Sequence, residues 1–111
     1  MREQPDDFRA WHNLAAVAYS RGDLDEAEAL ERKALALAPE YSEAWNTLGA
    51  IALVRKRTGD AVEALTNATR WGPTNAQAFQ NLALALQAGG QRDRARAAAG
   101  RACALDKRFC K

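Results

Sequence analysis

A spacing of 34 residues runs through this chain. Pro5, Pro39 and Pro73 stand at that interval, and Trp11, Trp45 and Phe79 keep it as well. A fixed period of this length means a stack of like units, each too small to bury a hydrophobic face alone and stable only against its neighbours. Such a chain builds a thin, continuous core instead of a deep enclosed pocket.

The register extends to further columns. Leu14, Leu48 and Leu82 recur at the period, followed by Ala15, Gly49 and Ala83, then Ala27, Ala61 and Ala95, then Ala34, Ala68 and Ala102. An aromatic followed three residues on by leucine and four on by a small residue is one face of a first helix, and the small residue admits a second helix closely. Alanines seven apart mark the contact face of that second helix. Proline then ends it, because it lacks a backbone donor and clashes with the preceding turn. Gly49 is expected to open the space that Ala61 fills, with Trp45 anchoring the most complete contact.

The pattern Trp-x-x-Leu-(Gly/Ala), then Ala, Ala and Pro, resembles the tetratricopeptide repeat. Three repeats, about 8–41, 42–75 and 76–109, cover nearly the whole chain with no insertion or deletion, and the middle one matches best through Trp45, Leu48, Gly49, Ala61, Leu65, Ala68 and Pro73. Glu31 departs from the aromatic or aliphatic residue preferred at its position, and Lys107 replaces the third proline. The resemblance implies an all-α fold, a right-handed superhelical α-solenoid of three helix-turn-helix repeats with about six antiparallel helices. Residues 1–111 form one domain, and Gln4-Pro5-Asp6-Asp7 resembles the tail of a preceding repeat, as expected of an excerpt from a longer array.

Capping signals place the helices near 8–20, 24–38, 43–56, 60–71, 76–88 and 92–106. Asp6 or Asp7, Ser42 and Asn75 are the expected caps, and Asp23 or Asp25 with Glu26 favours the second helix through its dipole. Ser20-Arg21-Gly22-Asp23, Thr58-Gly59-Asp60 and Gly89-Gly90 are the expected turns. Gly100 costs the last helix about 1 kcal/mol relative to alanine, so the third unit is expected to be the loosest.

In the family, the first helices line a concave groove that holds ligands. The resemblance assigns to it Arg9, His12, Asn13, Ala16 and Ser20; then Glu43, Asn46, Thr47, Ala50 and Val54; then Gln77, Gln80, Asn81 and Leu84, with Ala88 beyond. The groove is amide-rich and weakly apolar, with almost no net charge. Asn13, Thr47 and Asn81 share a column, and amides offer both donors and acceptors to a peptide backbone. This resembles the asparagine ladder of some family members. The lysines and arginine that clamp the terminal carboxylates of chaperones in other members are missing, since those columns read His12, Ala16, Thr47, Gln77 and Asn81.

Other chemistries find little support. His12 is the single histidine, the carboxylates crowd the turns where capping explains them, and no nucleophile–base set or phosphate loop can be assembled. Catalysis, a cofactor and a metal site are therefore not expected. On one continuous helix Cys103 and Cys110 stand about 10 Å apart, beyond disulfide reach, so one packed and one free thiol are expected. No apolar run approaches the ~20 residues of a membrane span and the first residues lack a signal-peptide core, which leaves the compartment unknown.

Charge is uneven. Residues 1–40 carry nine acidic and five basic side chains, and residues 41–111 five and eleven. Without interleaved aromatics the basic clusters do not suggest nucleic acid. Weak head-to-tail contact with another copy or a flanking domain fits the asymmetry, through a face expected to be open around Ala98, Cys103 and Leu105. The chain is expected to be a non-catalytic scaffold binding a peptide or protein segment in its groove. The alternative is a regulatory or substrate-presenting segment of a larger enzyme.

Overall fold

Six helices in three antiparallel pairs make up the computed structural model, which describes residues 7–110; Pro5 and most of the segment compared with a repeat tail lie outside them. The helices are α1 (Phe8–Ser20), α2 (Leu24–Leu37), α3 (Ser42–Val54), α4 (Thr58–Trp71), α5 (Ala76–Ala88) and α6 (Arg92–Leu105), followed by a 3₁₀ turn at Lys107–Phe109. Each pair packs along its length, and the second helix of one unit packs on the first helix of the next. Successive first helices also touch, α1 to α3 and α3 to α5, which makes theirs the short, inner side of the curve.

Local chemistry accounts for most helix ends. Asp7 caps α1 by accepting from Arg9 N at 2.9 Å, and Asn75 caps α5 by accepting from Ala78 N at 3.1 Å. Ser42 is not the cap expected of it. Tyr41 takes that place, and the Ser42 hydroxyl donates to Ala68 O at 2.7 Å while accepting from Asn75 Nδ2 at 3.1 Å. One buried hydroxyl thus ties α3 to the end of α4 and the start of α5. A Cβ on Gly72 would overlap that serine, so glycine is needed there for close approach.

The second turn also differs from expectation. Helix α4 already begins at Thr58, and the reversal falls on Arg55-Lys56-Arg57. Lys56 there has φ 62°, in the same column as Gly22 at 85° and Gly90 at 80°. The geometry demands a left-handed residue once per unit, which glycine meets freely and lysine meets at a cost.

Packing corrects three further expectations. Gly49 makes room for Leu65, not Ala61, since a Cβ at Gly49 would overlap the leucine side chain. Trp45 is only half-buried, with its indole N–H donating to Pro39 O at 2.7 Å, whereas Trp11 is buried. Leu14 is 49% exposed although Leu48 and Leu82 of the same column are each 9% exposed. That column faces the preceding unit: Leu48 packs in a cluster with Leu35 and Leu82 in one with Leu65. No described helix stands before α1.

The cysteines are joined, contrary to the expectation of free thiols. The chain leaves α6 at Asp106 in an extended conformation, the Asp106 carboxylate accepts from Arg108 N at 2.9 Å, and the turn brings Cys110 back to a disulfide with Cys103, Cα to Cα 4.6 Å. The distance argument assumed a continuous helix, which this reversal replaces. Ala98 is buried and Leu105 half-buried, so the face expected to be open around Ala98, Cys103 and Leu105 is largely covered. Part of the charge asymmetry is also satisfied inside the chain. Arg55 reaches Asp25 at 2.6 Å and Glu28 at 3.7 Å, and Arg57 reaches Glu28 at 3.9 Å.

Candidate functional site

All fourteen residues assigned to the groove lie on α1, α3 and α5, and none of them is fully buried. Arg9, Asn13, Ala16, Ser20, Glu43, Val54, Gln77 and Leu84 are exposed. His12, Asn46, Thr47, Ala50, Gln80 and Asn81 are half-buried. Other positions of each first helix are committed to the core, Trp11, Ala15 and Ala18 on α1 and buried alanines and leucines on α3 and α5.

The amides form a connected row, but not the one expected. Gln77 Nε2 donates to Asn81 Oδ1 at 3.1 Å, and Asn81 Nδ2 donates to Asn46 Oδ1 at 2.9 Å. The step between units therefore runs from Asn81 to Asn46. Thr47, expected as the middle rung, donates back to Glu43 O at 3.1 Å. Holding each other's amides fixes the side chains and still leaves lone pairs and N–H groups for a ligand.

At the other end lies a feature that column counting flagged only as a departure. Glu31 is fully buried, and its Oε2 stands 2.7 Å from His12 Nδ1. Its Oε1 has no hydrogen-bond partner. Burial pushes the Glu31 carboxyl up, against the hydrogen bond from His12. That same hydrogen bond raises His12 above its usual 6.5 and outweighs desolvation. Both members of the pair thus keep protons to higher pH than they would in water. Tyr41 meets the imidazole edge-on at 5.2 Å between ring centres, and Phe8 meets Tyr41 at 4.8 Å. Among the described residues the imidazole's side-chain hydrogen bond is to Glu31.

Along the edge where the first helices begin, the groove opens into a cleft of about 630 Å³ lined by Tyr41, Glu43, Trp71, Gln77 and Phe109 among others. The aromatics in it were not among the expected site residues. The signal was present: Tyr41 and Phe109 stand two periods apart on either side of the Asn75 cap.

The tetratricopeptide repeat model matches residues 10–38, which are α1 and α2 with the turn between them. Solved structures superpose on all three units. MamA does so with a TM-score of 0.83 at 22% identity, over 92% of this chain and 60% of that one. Residues 10–38 thus carry a tetratricopeptide repeat, and the three units together have that fold. The MamA RS-1 ArsTM double mutant gives 0.82 at 25% identity, over 94% of this chain and 58% of that one. This tetratricopeptide array therefore spans about three fifths of the length of those structures, and the likeness to them is one of fold. No curated protein matches the sequence significantly.

Proposed function

We propose that the array is a non-catalytic scaffold that holds an extended peptide or protein segment along the inner face of α1, α3 and α5. The hydrogen-bonded row Gln77, Asn81 and Asn46 supports this most directly, because it presents fixed amide groups across a unit boundary. An extended main chain offers matching donors and acceptors at short intervals, with side chains alternating to either side. Ala16, Ala50, Val54 and Leu84 supply shallow apolar contact beside the row, and Val54 and Leu84 are each more than half exposed. Arg9, His12, Asn13, Ser20, Glu43, Thr47 and Gln80 complete the lining. Among the described residues no helix is long and apolar enough to cross a membrane, and no group of three or more metal-ligating side chains comes together.

Selection from a random linear peptide library, followed by calorimetry, tests the proposal. Asn46→Ala with Asn81→Ala should preserve helicity and weaken a selected peptide about tenfold or more, the cost of leaving its backbone groups unpaired. Unchanged affinity in the double variant would overturn the assignment of the groove.

A further inference from the structure

The outer faces of the first and third described units are unlike the interior. Leu14 and Val17 are each 49% exposed on α1, while their counterparts one and two periods on are inside: Leu48 and Leu82 at 9%, Ile51 at 2% and Ala85 at 0%. At the other end, α5 and α6 border a cleft of about 370 Å³ whose apolar floor is Ala83, Leu84, Ala95 and Ala99, with Arg92 and Arg96 beside it. Of the described tail beyond α6 only Phe109 borders this cleft, and the Cys103–Cys110 bridge holds Cys110 to α6.

The charges at an internal joint show what an external joint would contain. Between units one and two, Arg55 and Arg57 reach Asp25 and Glu28. Carried along the period to the end of unit three, the positions of Asp25 and Glu28 become Asp93 and Arg96. Carried back to unit one, those of Arg55 and Arg57 become Arg21 and Asp23. Unit one of a second copy seated on unit three would therefore bring Arg21 to Asp93 and Asp23 to Arg96, two pairs of opposite sign, against one like pair, Arg21 with Arg96, at the place of the longer Arg55–Glu28 contact. Between units two and three the same positions hold Gly59, Val62, Gly89 and Gln91, without charge. Asp93 and Arg96 are 97% and 82% exposed and make only a loose contact with each other at 3.8 Å.

We infer that a second copy of this chain docks head to tail, with the Leu14 and Val17 face of its α1 on the α5–α6 cleft and its Arg21 and Asp23 paired to Asp93 and Arg96. The contact is heterologous, so it propagates into open chains instead of closing, and its ion pairs make it sensitive to salt. It deepens the assignment of the chain as a protein-binding array, and its cleft shares Gln80 and Leu84 with the groove, so the test also follows peptide binding.

Sedimentation velocity on the full chain, with the disulfide intact, tests the joint. At low salt the weight-average sedimentation coefficient should rise with concentration, and added salt or Leu14→Asp should abolish the rise. Asp23→Arg sets a second arginine against Arg96 and should sediment as a monomer, whereas Arg96→Asp sets a carboxylate against Asp23 but also beside Arg21, so that variant should associate more weakly than the wild type. Mixed in equal amounts and alternating along a chain, they restore opposite charges at every joint. The arginine introduced in the first variant meets the aspartate introduced in the second, while the reverse joint keeps the native Asp23 and Arg96. The mixture should therefore regain the concentration-dependent rise. A wild type that stays monomeric in low salt at high concentration overturns the inference. So does a mixture no more associated than its components. Circular dichroism of each variant identifies any loss of helix, and a peptide selected on the groove should still bind the monomeric variants.

Discussion

The two internal joints of the array share one backbone geometry and differ in what fills it. Between units two and three the filling is hydrocarbon: Leu65 is fully buried against Gly49 and clusters with Ala52, Leu82, Ala83 and Leu86. In unit one the residue equivalent to Leu65 is Glu31, also fully buried, with His12 of the same unit as its partner and one oxygen unpaired. The outer turn of the joint between units one and two carries the Arg55 and Arg57 network, where the other joint has none. A repeat column therefore specifies volume and position more strictly than polarity. A carboxylate is admitted only when a neighbouring column supplies a matching donor, and the joint that admits it gains a titratable element at the price of a dry interface.

The largest expected effect breaks the apolar joint. Leu65→Ala empties the space under Gly49, and a fully buried leucine reduced to alanine costs about 2–5 kcal/mol. Denaturant titration followed by circular dichroism should show a correspondingly lower midpoint with helicity retained before the transition. A shift as small as that of a surface substitution would mean that the joint relaxes around the cavity, and the contrast between the joints would lose its basis.

The second effect converts one joint into the other. Glu31→Leu removes the buried pair and its orphaned oxygen. Replacing such pairs by hydrocarbon of similar volume is commonly neutral or stabilising by about 1–4 kcal/mol, so the variant should be at least as stable as the wild type at neutral pH. His12→Ala should act in the opposite sense, since it strands the carboxylate. The pH dependence separates them further. Both pKa values are raised in the folded state, so the folded chain binds more protons than the unfolded one. The pair's contribution is therefore fullest at low pH. It is lost as pH climbs from the ordinary glutamate range through and beyond the usual histidine value of 6.5. In Glu31→Leu that downward slope should be largely gone. A wild type whose stability rises across the same interval would show that the pair titrates in the other direction.

Much of this was legible in the sequence, and the exceptions have identifiable causes. Period and capping chemistry located all six helices to within about two residues at either end, because each unit repeats the same apolar columns and stops. The placement of Leu14 in the core failed because a column reports what a residue faces in an internal unit, and α1 has no described neighbour on that side. The cysteine argument failed because it extended α6 through Asp106, whose carboxylate instead caps a new turn. In the groove, helical spacing kept every assigned residue out of the buried core, but pairing across units depends on the stagger between neighbouring helices. That stagger joins Asn81 to Asn46 and leaves Asn13 outside the row. Lys56 shows the same limit in the backbone, since only the glycines on either side of it in the column announce the left-handed turn.

The smallest expected effect tests whether the polar joint draws strength from its outer edge as well as from its buried pair. The Arg55 guanidinium and its hydrogen bond hold the Asp25 carboxyl below the usual carboxylate range, yet the Asp25 side chain is 95% exposed. Water and salt screen such a contact, so it stabilises far less than a buried one. Glu28 complicates the pattern: it pairs with Arg32 on its own helix at 2.8 Å, so its hold on Arg55 and Arg57 is shared. Asp25→Asn should therefore lower stability by less than Leu65→Ala by a wide margin, and the loss should shrink further in high salt. An Asp25→Asn loss as large as that of His12→Ala, and unchanged by salt, would place the strength of the first joint at its turn instead of at the buried His12 and Glu31. The register argument for a copy-to-copy joint built from the same columns would then predict a much tighter contact than two screened surface pairs can give.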